Sequence, residues 1–339
     1  MKFHIPPNLI SRAIRYITKG PIPAAKDVKI DNFTVGRAHP CFFVAELGIN
    51  HNGIMDMAKK LIDAAADAGA QAVKFQKRTV PVFYSQEELS RSVPVDRHVL
   101  ENAISRGVLP ENSVKRLLGS DFKDTTRGDY VWAREFTESE YKELFDYAKQ
   151  KNLVAFASPW DTESVDFMEK LDPPVYKVAS ASITNHDLLE KIKNTGKPII
   201  LSTGMSTMDQ VHSAVQKLKT NPLIILHTVS AYPADEKDLN LKLIPKLKKI
   251  FPEHPIGYSG HERGISASLA AAVHGAHVIE RHITLDKKMF GTDQGTSLEP
   301  HEFADLIKHV NTIREATGDG NKRILPSEKV ILRKNSNSK

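Results

Sequence analysis

Two lysines stand inside apolar, strand-forming text: Lys74 in Ala-Val-Lys-Phe-Gln and Lys177 in Val-Tyr-Lys-Val-Ala. A lysine in such a run is costly to bury unless an anion answers it. With the hydroxyls of Ser158, Ser180, Ser230 and Ser259, the pair suits a ligand that carries a phosphate and a carboxylate. Lysine supplies charge, and hydroxyls and backbone N–H groups supply directed donors. The alternative is internal pairing with Glu46 and Glu280. Any one of the serines could equally cap the helix that follows it. His261 and His282 close two successive apolar runs, and two neutral imidazoles there could share a divalent ion with positions left open. His227 could join them, and His51 reads as a turn residue in Asn50-His51-Asn52-Gly53. Asp293 lies in the polar stretch Gly291-Thr292-Asp293-Gln294. It could bind a hydroxyl or move a proton, or it could simply shape a turn.

These residues need elements that bring them together. From residue 40 onward, short β-branched or aromatic runs alternate with helical patterns. The runs are 41–48, 71–77, 154–160, 174–180, 198–204, 223–230, 255–261 and 277–284. Between them, apolar residues recur at spacings of three and four, as in Met57, Leu61, Ala64 and Ala65, or Ile265, Leu269, Ala272 and Val273. Eight strands alternating with helices predict a (β/α)8 barrel, with an open doubly wound sheet as the other arrangement. Barrels carry their chemistry at the C-terminal ends of the strands. There this sequence places Glu46, Lys74, Gln76, Ser158, Lys177, Ser180, Ser182, Ser202, His227, Ser230, Tyr232, Ser259, His261, Glu280, Arg281 and His282. Residues 28–36 read as a hairpin that closes the base of the barrel. Residues 79–134 form a long polar insertion after the second strand, the kind of segment that serves as a lid or interface. The barrel then spans 28–320, between a basic arm (1–27) and a basic tail (321–339).

The net charge of +6 sits at the ends: residues 1–37 and 321–339 carry +5 each, and 38–320 carry −4. A nucleic-acid-binding body is therefore not supported. Residues 10–19 form a short basic amphipathic segment (Ile10, Ile14 and Ile17 with Arg12, Arg15 and Lys19), expected to pack on the body or on a partner subunit rather than to serve as an export signal. No apolar run approaches the ~20 residues of a membrane span, so no integral membrane association is expected. Cys41 is the only cysteine, which excludes an intrachain disulfide and fits a cytoplasmic setting.

The motifs Ala45-Glu46-Leu47-Gly48-Ile49-Asn50-His51-Asn52-Gly53, Lys74-Phe75-Gln76, Lys177-Val178-Ala179-Ser180, Leu201-Ser202-Thr203-Gly204-Met205, Gly257-Tyr258-Ser259-Gly260-His261-Glu262, Glu280-Arg281-His282-Ile283-Thr284-Leu285-Asp286 and Ser297-Leu298-Glu299-Pro300 occur in one order over residues 28–320. Taken together, the sequence resembles the sialic acid (N-acetylneuraminate) synthases. The resemblance implies a homodimeric, metal-dependent barrel transferase. Such enzymes condense phosphoenolpyruvate with an N-acyl amino sugar, N-acetylmannosamine or its 6-phosphate, to give a 3-deoxy-nonulosonic acid and phosphate. It implies a divalent ion, Mn2+ with Mg2+ or Co2+ as alternatives, on His261 and His282, with Glu46 as a catalytic partner. It places phosphoenolpyruvate on Lys74, Ser158, Lys177, Ser180, Ser230 and Ser259, and the sugar on Gln76, Ser182, Tyr232 and Asp293.

Some positions depart from the family pattern. Ser182 stands where many members have a sugar-contacting Glu, Ser230 where many have Asn, and Ser158 where many have Thr. The 339 residues also end before the C-terminal antifreeze-like domain usual in the family, which lends an Arg to the partner's sugar site. The sugar is thus left open, with legionaminate-, pseudaminate- and other 3-deoxy-ulosonate-type synthases as rivals. Two further rivals are a non-catalytic barrel that binds a phosphorylated ligand, and a lyase with a Schiff base on Lys177, which borohydride would trap.

Overall fold

The protein is described here from a computed structural model, which covers residues 25–336. The basic segment expected over residues 10–19 lies outside the described residues. Eight parallel strands form the barrel: β3 (Phe42–Gly48), β4 (Ala72–Lys77), β5 (Val154–Pro159), β6 (Tyr176–Val178), β7 (Ile199–Ser202), β8 (Leu223–Thr228), β9 (Ile256–Gly260) and β10 (Val278–His282). They are hydrogen-bonded in the order β5-β4-β3-β10-β9-β8-β7-β6. β5 and β6 run side by side at the seam, so the barrel is nearly closed. All eight strands fall where the sequence placed them, shorter by a few residues at their ends.

Strand side chains alternate in direction, and here the alternation separates two environments. Residues pointing outward, such as Phe43, Ala45, Leu47, Val73, Phe75, Ala155 and Ala157, pack beneath the surrounding helices. Those pointing inward change character along each strand. Phe42, Val44, Ala72, Val154, Phe156, Val175, Ile200, Ile224, Leu226 and Val278 fill the lower interior. Above them on the same faces come Glu46, Lys74, Gln76, Ser158, Lys177, Ser202, Thr228, Glu280 and His282. The apolar layers exclude water from below and oblige the polar groups above to satisfy one another.

A two-stranded antiparallel hairpin, β1 (Val28–Ile30) and β2 (Phe33–Val35), adds Val28, Ile30 and Val35 to that lower core. It plugs the barrel base. The insertion after β4 is helical: Val80–Phe83, Gln86–Ser90, Arg97–Ser105, Glu111–Gly119 and Arg127–Arg134. It has its own small core of Val99, Leu100, Ala103, Leu109, Leu117 and Ala133. Capping boxes at Ser85–Glu88 and Thr126–Asp129 start two of these helices by satisfying their free N–H groups.

Two helical stripes differ from the sequence expectation. Helix Met55–Asp67 buries Ala58, Leu61, Ile62 and Ala65, a face turned slightly from the Met57–Ala64 spacing. Helix Ser266–Val273 buries Ser268 and Ala271 and leaves Val273 two-thirds exposed. Its text, Ser-Ala-Ser-Leu-Ala-Ala-Ala-Val, is uniformly small or apolar, so no face stands out by composition. The tail carries one exposed helix, Pro326–Ser336. Among the described residues, no helix is long and apolar enough to cross a membrane.

Candidate active site

The upper ends of the strands enclose a cavity of about 170 Å3. Glu46, Lys74, Gln76, Ser158, Lys177, Ser180, Ser230, Tyr232, Ser259, His261 and His282 all line it, with Ser202, Thr228 and Glu280. Strand register explains the convergence: Glu46 lies opposite both Lys74 and His282, Gln76 opposite Ser158, and Ser259 opposite both Thr228 and Glu280.

Glu280 is the electrostatic centre. Its Oε1 accepts from Lys74 Nζ (3.0 Å) and Ser259 Oγ (3.0 Å) and lies 3.5 Å from Lys177 Nζ. Lys74 also reaches Glu46 Oε2 at 3.1 Å, and Lys177 donates to Ser202 Oγ at 2.7 Å. The internal pairing weighed as an alternative is therefore present, and it holds the two ammonium groups side by side. Although burial opposes the charge of Glu280, the two lysines hold it down to about 2. Glu46 is driven the other way: burial and the charge of Glu280 outweigh Lys74 and push it up to about 7. Burial and neighbouring Lys74 bring Lys177 down to about 8. Two lysines and one firmly ionised glutamate leave the cavity receptive to an anion. Ser158 Oγ and Thr228 Oγ1 add hydroxyls with no hydrogen-bond partner among the described residues.

Of the two histidines, His261 has a defined tautomer. Val229 O can only accept, so His261 Nδ1 (2.8 Å) carries the proton and Nε2 presents a lone pair, met by Tyr232 OH at 3.0 Å. The two imidazole centroids lie 5.5 Å apart. His282 Nδ1 is buried without a hydrogen bond; Asp293 Oδ2 stands 3.8 Å away. Burial, and for His261 the neighbouring imidazole, lowers them to about 3 and about 4, which keeps both neutral. Neutral imidazoles fit a divalent cation, for which the Tyr232 hydroxyl would yield the His261 Nε2 lone pair it now meets. Among the described residues, no group of three or more His, Cys, Asp or Glu converges as a complete ligand set.

Several backbone features hold this arrangement. His51 is a turn residue, as its sequence context indicated. Its Nε2–H donates to Gly48 O (3.1 Å), its Nδ1 accepts from Gly53 N–H (3.0 Å), and its ring stacks on Phe136. Gly204 is required by close approach: a Cβ there would sit 2.3 Å from Ser230 Oγ and 2.8 Å from Ser180 Oγ. Its N–H donates to Ser180 Oγ at 3.0 Å. His227 is drawn out of the ring by a 2.6 Å bond to Leu239 O.

Two expected site residues stand off the cavity wall. Ser182 closes the 3-10 turn Ser180–Ser182, where each residue advances about 120°, so Ser180 and Ala181 face the cavity and Ser182 is tucked beneath. Asp293 lies beyond His282 in the loop after β10. Glu280 was legible only as an internal partner for lysine, yet it organises both lysines. Trp160, Met205 and Arg78 had no sequence signal beyond their proximity to strand ends. Trp160 and Met205 line the cavity, and Arg78 donates to Gln76 Oε1 at 2.6 Å while Gln76 donates to Glu46 Oε1 at 2.7 Å.

Fold and site together define a (β/α)8-barrel enzyme with a cationic, hydroxyl-lined pocket at the C-terminal face of its strands. The chain belongs to the NeuB family, which it matches over residues 61–322. It is 39% identical over 297 residues to the N-acetylneuraminate-9-phosphate synthase of Mus musculus, covering 87% of this chain and 76% of that protein. It is 37% identical to the N,N'-diacetyllegionaminic acid synthase of Campylobacter jejuni, covering 84% and 80%. The solved structure of N-acetylneuraminic acid (sialic acid) synthetase from Leptospira borgpetersenii, in complex with citrate, superposes with a TM-score of 0.72 at 32% identity, covering 93% of this chain and 97% of that one.

Proposed function

We propose that this protein condenses phosphoenolpyruvate with an open-chain N-acyl amino sugar to form a 3-deoxy-nonulosonic acid and release phosphate. The observation that carries the reading is the pair of fully buried lysines, 74 and 177, set among Ser158, Ser180, Ser230 and Ser259 in one cavity. That set matches a small ligand with a phosphate and a carboxylate. The family resemblance supplies the condensation and the class of sugar, and the relatives are named as synthases of N-acetylneuraminate 9-phosphate and N,N'-diacetyllegionaminic acid.

In this reading Lys74, Lys177 and the hydroxyls hold phosphoenolpyruvate and direct its C3 toward the aldehyde carbon, replacing diffusion by positioning. Gln76 and Tyr232, which line the cavity, face the sugar, with Asp293 set back behind His282. The new bond joins C3 to the aldehyde carbon, and C2, left electron-poor, takes up water. Glu46, pushed up to about 7, is poised to accept that water's proton near neutral pH. The C2–O bond then breaks and phosphate departs with its bridging oxygen. His261 and His282 would hold a divalent ion, Mn2+ by the resemblance, whose contribution is Lewis-acid polarisation of the aldehyde oxygen. The same resemblance carries a homodimer, and the lone buried Cys41 fits a cytoplasmic setting.

The test is phosphate release from phosphoenolpyruvate and Mn2+ with N-acetylmannosamine, its 6-phosphate and a panel of related aldoses, with EDTA as a control. Release that needs both an aldose and the metal is the expected result. Binding of phosphoenolpyruvate without turnover of any aldose would favour a non-catalytic barrel. Borohydride trapping of Lys177 without metal would favour a lyase.

A further inference from the structure

Of the seven arginines on or beside the insertion, Arg91 is exposed, and the other six fall into two groups. Arg97, Arg106 and Arg116 each hold a carboxylate: Glu101 at 2.7 Å, Glu140 at 2.6 Å and Asp129 at 2.7 Å. Among the described residues, Arg78, Arg127 and Arg134 hold none within 4.0 Å. Each of these three has a buried Nε without a hydrogen-bond partner, as do Tyr130 OH and Trp160 Nε1 beside them. Five unpaired donors in one neighbourhood are unusual, because buried donors are normally satisfied.

The neighbourhood is compact. Arg78 lies 4.1 Å over the ring of Trp160, which itself lines the cavity, and 5.7 Å from Phe83. Phe83 packs on Tyr84, over which Arg127 sits at 5.5 Å. Arg134 lies 4.0 Å over Tyr130, whose ring packs on Phe290 in the loop that carries Asp293. The acids whose fields reach Arg78 are Glu135 and Asp293. Glu135 is engaged by Lys77 at 2.8 Å, and Asp293 lies on the His282 side. Aromatic faces thus fix the guanidinium planes; Arg78 spends one N–H on Gln76 Oε1, and the Nε of all three arginines goes unanswered. Guanidinium edges recognise phosphate oxygens in a planar, bidentate manner.

We propose that Arg78, Arg127 and Arg134 form an anion subsite at the barrel mouth that takes the terminal phosphate of a phosphorylated open-chain aldose. The subsite lies on the Gln76–Trp160 side of the cavity, separate from the Lys74–Lys177 pair. An aldose with its aldehyde at the histidines would direct its far end there. The inference rests on the reading of the cavity as an aldose site, and its test does not depend on turnover.

Calorimetric titration of the protein, saturated with phosphoenolpyruvate, compares N-acetylmannosamine 6-phosphate with N-acetylmannosamine. The expected result is binding of the phosphorylated sugar tighter by roughly 10- to 100-fold, the range for charge-assisted hydrogen bonds. Arg134→Met, and independently Arg127→Met, should lose about tenfold or more of that preference, with melting temperature and phosphoenolpyruvate affinity close to the parent. Equal binding of the two sugars by the parent overturns the proposal. So does a preference that survives in a folded Arg134→Met or Arg127→Met protein. Absence of turnover with either sugar would count against the condensation and leave this binding result to be judged on its own.

Discussion

Two buried ionic clusters flank strand β10, one on each face, and they differ in how completely they are satisfied. Outward from the barrel, Arg281 is wholly buried and reaches Glu262 Oε1 (2.9 Å), Ser268 Oγ (2.9 Å), Gly264 O (2.8 Å) and Glu262 O (2.6 Å). Tyr258 OH and Ser268 Oγ complete Glu262, each at 2.8 Å, and of this cluster only Arg281 Nε is left without a hydrogen-bond partner. Inward, one residue away on either side, Glu280 and His282 keep atoms without partners, as do Ser158 and Thr228. A satisfied ionic network rigidifies, whereas unfilled valences in a buried place point to a ligand. Arg281 thereby ties down the 260–264 loop behind His261, so the quiet outer cluster positions the unsatisfied inner one.

The largest effect is expected from breaking the outer cluster. Arg281→Leu strands Glu262 in an apolar layer and should lower the unfolding free energy by about 3–5 kcal/mol, the usual penalty for removing one partner of a buried pair. Urea denaturation measures it, and a loss under about 1 kcal/mol would mean the network is not structural.

The inner cluster should reveal itself through pH. Glu46 is raised from 4.5 to about 7, so the folded protein holds that proton more tightly than the unfolded chain does. Its contribution to stability is full below pH 4.5 and is lost as pH rises through about 7. Glu280, lowered from 4.5 to about 2, behaves oppositely: its contribution is present above pH 4.5 and is lost as pH falls toward 2. Glu46→Gln removes only the first effect. The stability of the variant relative to the parent should therefore climb by roughly 3 kcal/mol between pH 4.5 and 7, at about 1.4 kcal/mol per pH unit. A difference that stays flat across that window would show that Glu46 is ionised in the ordinary range.

The smallest effect separates two serines of one turn. Ser180→Ala removes a hydroxyl that faces the cavity and accepts from Gly204 N–H, and should reduce phosphate release by about tenfold. Ser182→Ala should stay within about twofold. Steady-state kinetics on both variants decides whether the cavity wall ends where the turn rotates away.

The sequence by itself determined the barrel and most of its site. Eight β-branched runs at regular spacing leave few ways to bury their faces, and polar residues at the ends of apolar strands can be read along the chain. Position on a strand also settles which way a side chain points, which is why eleven expected residues line one cavity. Local text could not set the phase of a uniformly small-residue helix such as Ser266–Val273. It could not show that Ser182 turns under while Ser180 turns in. The tertiary structure alone decided that both strand lysines share Glu280, that Arg281 is spent on Glu262, and that Arg78, Arg127 and Arg134 gather without a carboxylate. Such pairings, from 19 residues apart for Arg281 and Glu262 to 206 for Lys74 and Glu280, follow from strand register and loop packing, and no periodicity within the chain encodes them.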